Sequence, residues 1–442
     1  MKIIICGAGE VGRYVAVMFS NENQEIILMD DNSEHLEDLD TTYDLMTKTG
    51  SPTSLKALKE CNIRNALFVA VTPDESTNIT SCMLAHSLGA KKTIARINNY
   101  EYLLPTNSDF FKRMGVDSLI YPETLAATEI IESLKRGWMR EYRTFGNGEL
   151  ALVCIKVREN AVFLDKMFST GIFNHDRYRI VALKRHNQTI IPKGSDEIKV
   201  NDIVYFICSR ENIDFIRQES GKEEVLIKNI IIMGGSRIAQ KTVPFLPENM
   251  HVKIIERDRA KCYALAEKLP DTLIIHGDGR NVDLLKHEGI EDADAFVAVT
   301  GNSEANVLAC LVSKRFGVKK SIAEVENIDY IDLAENLDIG TVVNKKLIAA
   351  SRIYQLMLDE DALNVQCLTY SDAQVVEFVV KPGDRITRSR VRDLHLPEHV
   401  NIGGIIRDGK GFVVNGNTVV LPGDHVVIFC MALSVPKIAR FF

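Results

Sequence analysis

Residues 1–12 read MKIIICGAGEVG, an apolar run that leads into glycines spaced as G-x-G-x-x-G. Three consecutive isoleucines are typical of a strand that is buried on both faces of a parallel sheet. In such a loop Gly7 permits the tight turn, Gly9 lets a pyrophosphate approach the backbone, and Gly12 lets the helix pack closely on the strand. The stretch therefore predicts a strand, a phosphate-binding loop and a helix whose N-terminus faces the phosphate.

A second strand and an acidic residue follow at the spacing that such a unit requires. Residues 25–29 read EIILM, and Asp30 ends the run. An acidic residue roughly 20 positions after the glycines accepts hydrogen bonds from ribose hydroxyls in NAD-type sites. A glycine turn that binds nothing is the alternative that the sequence leaves open. The predicted binding residues of this copy are Gly7, Ala8, Gly9, Glu10, Val11, Gly12 and Asp30.

The chain contains this unit twice. The stretch NIIIMGGSRIA, residues 229–239, aligns with the opening stretch when Gly234 is placed on Gly7. Residues 68–72 (FVAVT) return as residues 296–300, so the duplication extends far beyond the glycine loop. Repetition of this length predicts two similar domains. The predicted binding residues of the second copy are Gly234, Gly235, Ser236, Arg237, Ile238 and Glu256.

The second glycine loop departs from the pattern at two positions. Ser236 stands where the first copy has Gly9, and Ala239 stands where it has Gly12. Alanine is tolerated at the third position of the motif, whereas a serine side chain at the second position crowds the phosphate. We therefore expect an altered second site and tighter dinucleotide binding by the N-terminal copy.

Three further residues of the first copy lie where ligands of such sheets bind. Thr72 and Pro73 follow a strand at its carboxyl edge, although Thr72 is equally suited to cap the next helix. Arg96 also follows an apolar strand and is able to hold a phosphate through two parallel hydrogen bonds. An arginine that is merely exposed at a strand end is the alternative. The second copy has Glu324 at the position of Arg96.

Composition indicates an ordinary water-soluble protein of several domains. A length of 442 residues suggests two to four domains, and the chain is 46% hydrophobic and 26% charged. A net charge of −7 argues against nucleic acid as a partner. No apolar run reaches the length of a membrane span, and the opening strand leaves no room for a signal peptide. We expect a cytoplasmic protein.

Neither the cysteines nor the histidines point to a metal. Nine cysteines lack C-x-x-C pairs and are typical of small core residues in a reducing compartment. His395 and His399 resemble a ligand pair, but Pro397 between them breaks the helical geometry and no third ligand suggests itself. The sequence therefore predicts no metal site.

Two smaller β-rich segments follow the two copies. In each, a strand with a basic residue (Lys184 or Arg407) precedes a turn with an acidic residue (Asp202 or Asp424) and a last apolar strand. Residues 123–137 and 346–358 carry apolar residues at three- and four-residue spacing, which is typical of amphipathic helices. Such helices either pack on the core or join subunits.

The order of large and small segments makes the whole chain resemble the TrkA family, the cytosolic regulators of bacterial Trk potassium-uptake channels. The resemblance rests on the first glycine loop, Asp30, residues 69–72 and the stretch IARINNYEY around Arg96. It is weaker at Gly234–Ser236 and at Glu256. Family members contain two RCK modules, where RCK stands for regulator of potassium conductance.

The resemblance implies an α/β fold with four domains. Two Rossmann-like doubly wound parallel-sheet domains (RCK-N) are expected at residues 1–138 and 224–362. A small α+β domain (RCK-C) is expected after each of them, at residues 139–223 and 363–442. The departures at Ser236, Ala239 and Glu324 put ordinary dinucleotide binding by the second module in doubt.

The resemblance also implies a regulator and not an enzyme. Its modules are expected to assemble with further copies, as a dimer or tetramer ring, on the inner face of the membrane beneath a Trk-type potassium channel. The expected ligand is NAD or NADH, with ATP or ADP as alternatives. NADP is not expected, because Asp30 should repel its 2′-phosphate. An NAD-dependent oxidoreductase would need a proton-transfer residue, and none stands out in the small segments. A nucleotide sensor for another membrane transporter also remains open.

Overall fold

A computed structural model of the chain describes residues 2–20, 24–173, 176–357, 362–431 and 434–442. These residues form two compact units. The first unit contains Met1–Pro122, Lys346–Cys367 and Met431–Arg440, and the second contains Glu123–Lys345, Leu368–Cys430 and Phe441–Phe442. The units do not coincide with the four predicted domain ranges, which stay a prediction.

The first unit is built on a six-stranded parallel sheet with strand order β3-β2-β1-β4-β5-β6. The order reverses between β1 and β4, and ligands of doubly wound sheets bind at the carboxyl ends of strands beside such a reversal. The strands are β1 (Lys2–Cys6), β2 (Glu25–Asp30), β3 (Met46–Thr49), β4 (Leu67–Ala70), β5 (Lys92–Arg96) and β6 (Ser118–Ile120). The helices are α1 (Glu10–Ser20), α2 (Leu39–Thr42), α3 (Leu55–Glu60), α4 (Glu75–Ser87) and α5 (Pro105–Arg113).

The chain continues through α6 into a five-stranded antiparallel sheet of order β10-β9-β11-β8-β7 in the second unit. Its central strands are buried on both faces because they pack on aromatic and aliphatic side chains. The elements are α6 (Pro122–Lys135), β7 (Glu141–Phe145), β8 (Leu150–Lys156), β9 (Tyr178–Arg185), β10 (Gln188–Ile190), β11 (Ile203–Ser209) and α7 (Ile213–Glu219).

The second unit also contains the second parallel sheet, of order β14-β13-β12-β15-β16-β17. Its order repeats that of the first sheet, which confirms the predicted pair of doubly wound domains. The strands are β12 (Asn229–Met233), β13 (His251–Glu256), β14 (Leu273–His276), β15 (Ala295–Ala298), β16 (Lys320–Glu324) and β17 (Thr341–Val343). The helices are α8 (Arg237–Thr242), α9 (Arg259–Lys268), α10 (Val282–His287), α11 (Ser303–Arg315) and α12 (Asp329–Asn336).

The last part of the chain is a second small β-rich segment. Within the second unit its strands follow the order β19-β22-β20-β21. The elements are α13 (Lys345–Met357), β18 (Ala362–Cys367), β19 (Ala373–Val379), β20 (Val400–Arg407), β21 (Lys410–Val413), β22 (His425–Met431) and α14 (Val435–Ile438). The eight cysteines whose side chains are described are buried and free, as core residues should be.

The two amphipathic helices are exchanged between the halves of this one chain. Helix α13 follows the second parallel sheet but packs in the first unit, where the rings of Tyr354 and Phe19 lie 4.7 Å apart. Apart from its first residue, helix α6 follows the first parallel sheet but belongs to the second unit, where Ser133 Oγ lies 3.4 Å from Thr341 Oγ1. Residue 358, at the end of the predicted second helix, lies outside the described residues.

A bidentate ion pair between an arginine and an aspartate is present in both small segments. Arg407 donates to both carboxylate oxygens of Asp424, each over 2.7 Å. The matching pair is Arg185 with Asp202, at 2.9 and 2.7 Å. The sequence pattern singled out the adjacent Lys184 as the basic residue of this strand and named no partner for it. Neighbouring residues of a strand point to opposite faces, so a shift of one residue changes the partner. Lys184 instead contacts Asp332 and Glu335.

We expect Arg185→Gln to lower the free energy of unfolding by about 1–3 kcal/mol, because Asp202 is buried and would lose its charged partner. Arg210→Gln is the control, since Arg210 is exposed, and should change stability by less than about 0.5 kcal/mol. Calorimetric unfolding of both full-length variants measures the difference. Equal stability of the two variants would contradict the structural role of the pair.

Candidate functional site

The first glycine loop has two glycines that the fold requires and one that it does not. Gly7 has φ +105°, and a Cβ there would lie 2.9 Å from the backbone nitrogen of Thr72. A Cβ on Gly12 would lie 1.8 Å from the carbonyl oxygen of Gly7. A Cβ on Gly9 would meet no atom within 4 Å. The fold therefore accounts for Gly7 and Gly12, and the space at Gly9 is open for another molecule.

Asp30 ties the glycine loop to the end of β2. Its carboxylate is 8% exposed and accepts the backbone N–H of Ala8 over 2.6 Å and that of Asn32 over 2.9 Å. His35 Nδ1 lies 3.1 Å from the same carboxylate. Burial opposes ionisation, but these hydrogen bonds outweigh it and hold the pKa of Asp30 below its ordinary value. The residue is an anion at neutral pH, as a ribose-binding carboxylate must be.

Side chains around the loop hold the start of α1. Arg13 Nε donates to the carbonyl oxygen of Ala8 over 2.9 Å, and Val11 is buried. Glu10 is exposed in the first turn of the helix and pairs with Lys346 of α13. An acidic group in the first turn is favoured by the helix dipole. Through this ion pair, Lys346 from a distant part of the chain lies beside the N-terminus of α1.

A buried asparagine that the sequence analysis missed organises the carboxyl edge of the sheet. Asn78 Oδ1 accepts the N–H and the hydroxyl of Thr72, over 2.9 and 2.7 Å. Asn78 Nδ2 donates to the carbonyl oxygens of Thr72 and Arg96, each over 2.9 Å. The alternative of Thr72 as a helix cap is wrong, because Asp74 caps α4. The sequence did contain a signal for this role, because the second copy has Asn306 at the position of Asn78.

Pro73 and Arg96 lie at this same edge. Pro73 is exposed, and its carbonyl oxygen accepts Asn98 Nδ2 over 3.0 Å. Arg96 is partly buried and not fully exposed, and its Nε atom is enclosed without a hydrogen-bond partner among the described residues. That Arg96 binds phosphate stays a prediction.

The second copy reproduces the backbone geometry of the first. Gly234 has φ +99°, and a Cβ there would lie 2.9 Å from a methyl group of Thr300. Glu256 accepts the N–H groups of Gly235 and Asp258 over 2.8 and 2.9 Å, and Lys261 Nζ lies 3.1 Å away. Burial opposes its ionisation, but these partners hold the pKa of Glu256 below its ordinary value.

The side chains of the second loop differ from those of the first. The hydroxyl of Ser236 accepts the N–H of Ala239 over 3.4 Å and caps α8. Arg237 is exposed and Ile238 is buried. Ser236 therefore satisfies a helix amide that a phosphate would otherwise be free to approach. Helix α8 is also shorter than α1.

A carboxylate replaces the cation at the edge of the second sheet. Glu324 is 2% exposed, and its Oε1 lies 3.1 Å from Nζ of Lys345. Burial raises the pKa of Glu324 even though Lys345 opposes the shift. The two copies therefore differ in charge at this edge, with Arg96 in the first and the pair of Glu324 and Lys345 in the second.

Sequence comparisons identify the family. The profile of the TrkA-N domain matches residues 3–122 and 230–345, and that of the TrkA-C domain matches residues 152–220 and 375–442. The chain belongs to the TrkA family. The Trk system potassium uptake protein TrkA of Haemophilus influenzae is 32% identical over 100% of this chain and 98% of its own length. The protein of the same name from Halomonas elongata is 28% identical over 97% of this chain and 95% of its own length.

A solved structure described as the GsuK channel bound to NAD shares the fold of this TrkA-family chain. It is 15% identical with a TM-score of 0.60, covering 100% of this chain and 78% of that chain. Membership of the TrkA family makes the chain a regulatory protein of potassium transport and not an enzyme. None of the described helices is long and apolar enough to cross a membrane. Within the described residues, no group of three or more histidine, cysteine or acidic side chains is arranged to hold a metal.

We expect Gly12→Ala to destabilise the protein by about 1–3 kcal/mol, because its Cβ would overlap the Gly7 carbonyl and force the helix off the strand. Gly9→Ala is the matched control in the same loop and should unfold like the parent protein, since its Cβ meets no atom. Thermal unfolding followed by circular dichroism makes the comparison. Loss of stability in Gly9→Ala alone would show that the loop is packed differently.

Proposed function

We propose that this TrkA-family chain senses nucleotide for a potassium-uptake system by binding NAD, NADH or an adenine nucleotide in its N-terminal copy. The observation that carries the proposal is the open space at Gly9 next to an ionised Asp30. The proposed binding residues of the first copy are Gly7, Ala8, Gly9, Glu10, Val11, Gly12, Asp30, Thr72, Pro73 and Arg96. The solved structure of the GsuK channel bound to NAD, which shares this fold, supports a nucleotide as the class of ligand.

The geometry supports phosphate binding at α1. The helix begins at Glu10, and the first N–H groups of a helix point at an incoming anion. Because nothing fills the space at Gly9, a pyrophosphate is able to approach the backbone there. Arg96, with its enclosed Nε, is the proposed second contact from the neighbouring strand.

The charge of Asp30 supports selection of the ribose. A carboxylate that stays ionised accepts hydrogen bonds from the 2′- and 3′-hydroxyls. The same negative charge repels a 2′-phosphate, so NADP should bind more weakly than NAD. ATP and ADP carry the same ribose as the adenosine half of NAD, so Asp30 does not discriminate among them.

The second copy is proposed as the weaker site. Its residues would be Gly234, Gly235, Ser236, Arg237, Ile238 and Glu256. The hydroxyl of Ser236 already caps α8, and Glu324 places a negative group where the first copy has Arg96. Both features oppose a phosphate, whereas Glu256 retains the ribose-binding geometry.

Occupancy of the first site is proposed to act through α13. Lys346 of this helix pairs with Glu10 at the proposed phosphate position, and Lys92 Nζ donates to the carbonyl oxygen of Leu356 over 2.6 Å. A phosphate beside Glu10 competes for Lys346, so binding and the position of α13 are coupled. A ligand shifts such an equilibrium only by its differential affinity for the two states. The partner channel must then alter nucleotide affinity by the same factor.

The proposed setting is a ring of several copies on the inner face of the membrane beneath a Trk-type channel. The full-length match to potassium-uptake relatives supports that partner over another transporter or over a dehydrogenase. Potassium flux into liposomes that contain the channel and this protein, with and without each nucleotide, tests the assignment. Flux that no nucleotide changes, together with turnover of NAD by a metabolite, would overturn it.

We expect Gly9→Ala to weaken NAD binding by about 1–3 kcal/mol, a 5- to 150-fold rise in Kd, because its methyl group separates phosphate from the backbone. Gly194→Ala is the control, since it adds only an ordinary contact at 3.6 Å to Ser169 in the small segment. Calorimetric titration with NAD, NADH, ATP, ADP and NADP measures both variants. If NAD affinity is unchanged in Gly9→Ala but lost in Ser236→Asp, the two sites are ranked wrongly.

A further inference from the structure

Four cationic side chains contact the carboxylate of Asp338 in the second unit, and two further lysines interact electrostatically with Arg140 of that group; we name the six the basic cluster. Asp338 lies in the loop between α12 and β17. Its carboxylate is 2.6 Å from Arg158 Nη2, 3.2 Å from Lys314 Nζ and 3.5 Å from Lys156 Nζ, and it also pairs with Arg140. The cluster comprises Arg140, Lys156, Arg158, Lys222, Lys314 and Lys320.

Two members of the cluster have no acidic partner of their own. Lys320 donates to the Met139 carbonyl oxygen over 2.6 Å and to Thr341 Oγ1 over 3.0 Å, both uncharged acceptors. Lys222 makes no ion pair within the described residues and interacts electrostatically with Arg158, Arg140 and Asp338. The nearby Glu335 carboxylate is occupied by Lys184 at 2.9 Å. Four cationic side chains contact the single carboxylate of Asp338, so positive charge exceeds negative charge at this place.

Three lysines of the cluster have lowered pKa values, and burial is the largest cause in each. Burial together with Arg158 and Arg140 lowers the pKa of Lys222 to about 8. Burial and Arg140 lower the pKa of Lys320 to about 7, and burial and Arg140 also lower the pKa of Lys156. The arginines add to the effect of burial, because like charges disfavour one another's charged forms.

A buried donor in the cluster lacks an acceptor. The Arg140 side chain is 9% exposed, and its Nη1 atom is enclosed without a hydrogen-bond partner among the described residues. Leaving a charged donor unsatisfied is costly, so such groups usually mark a binding partner or strain. Solvent reaches the cluster, because Arg158 is 42% and Lys314 is 36% exposed.

The basic cluster is not repeated by the duplication, which argues against a purely structural role. In the first half of the chain the residue equivalent to Asp338 is Gly115. Gly115 has a positive φ, and its N–H donates to the carbonyl oxygen of Lys112. Asp338 keeps the positive φ of +55°, which is unfavourable for an aspartate, and makes the matching bond to Glu335. A strained carboxylate that gathers cations is a specialised feature of the second half.

We propose that the basic cluster binds a phosphate-type oxyanion from the solvent side, with Lys222 and Arg158 as its contacts. A doubly charged anion there balances the cations that Asp338 leaves uncompensated, and charge-assisted hydrogen bonds to phosphate are strong. Arg158 donates to Asn201 and Asp338 through its two Nη atoms, so the anion would compete with these acceptors. The site is distinct from both glycine loops and does not require nucleotide binding. The phosphate belongs either to a small soluble molecule or to a lipid headgroup.

Titration of the full-length protein with potassium phosphate against potassium chloride, at matched ionic strength and pH 7.5, tests the site through the unfolding temperature. We expect saturable stabilisation by phosphate alone. Lys222→Met should raise the apparent Kd about tenfold, the effect of losing one charge-assisted contact. Lys222→Arg should retain binding and guards against misfolding. Lys199→Met, which removes a half-exposed lysine that pairs with Asp165 and Glu197 in the same small segment, is the control for loss of a positive charge.

Two further experiments distinguish a lipid headgroup from a soluble phosphate, and the basic cluster from the first glycine loop. Cosedimentation with phosphatidylglycerol vesicles that is lost in Lys222→Met assigns the lipid headgroup, and phosphate-specific stabilisation without cosedimentation assigns a soluble phosphate. Gly9→Ala should leave phosphate stabilisation unchanged. Equal responses to chloride and phosphate, or an effect that is lost in Gly9→Ala and kept in Lys222→Met, would overturn the proposal.

Discussion

The hydrogen bond between a glycine-loop amide and the carboxylate at the end of the second strand sets the geometry of both nucleotide-type modules. Ala8 donates to Asp30 in the first, and Gly235 donates to Glu256 in the second. The bond fixes the loop against the strand, so it positions the helix N-terminus that follows. The carboxylate that accepts this bond has a lowered pKa in both modules, so the group that orders the loop also carries a negative charge.

Duplication followed by divergence explains which positions the two modules share. Positions that the backbone needs are retained, as shown by Gly7 and Gly234 and by the buried pair Asn78 and Asn306. Positions that only a ligand needs are free to change, and there serine replaces Gly9. The second module must still fold, so its loop keeps its backbone geometry while its side chains change.

The sequence was sufficient for patterns that are local and was insufficient for contacts between distant segments. The glycine loop, its flanking strands and Asp30 follow from short-range spacing, and the duplicated sheets follow from the repeat. The role of Arg185 was missed because a one-residue register shift moves a side chain to the other face of a strand. The pairing of Lys92 with Leu356 joins residues far apart in the chain, and amphipathic periodicity does not name a partner.

The exchange of helices makes the order of synthesis matter for folding. The first unit needs Lys346–Cys367, which leave the ribosome more than two hundred residues after Pro122. At ordinary elongation rates that interval is on the order of 10–40 s. During it the surface around Phe19 that later packs on Tyr354 has no cover from its own chain. The first unit therefore completes its packing only after most of the chain has been synthesised.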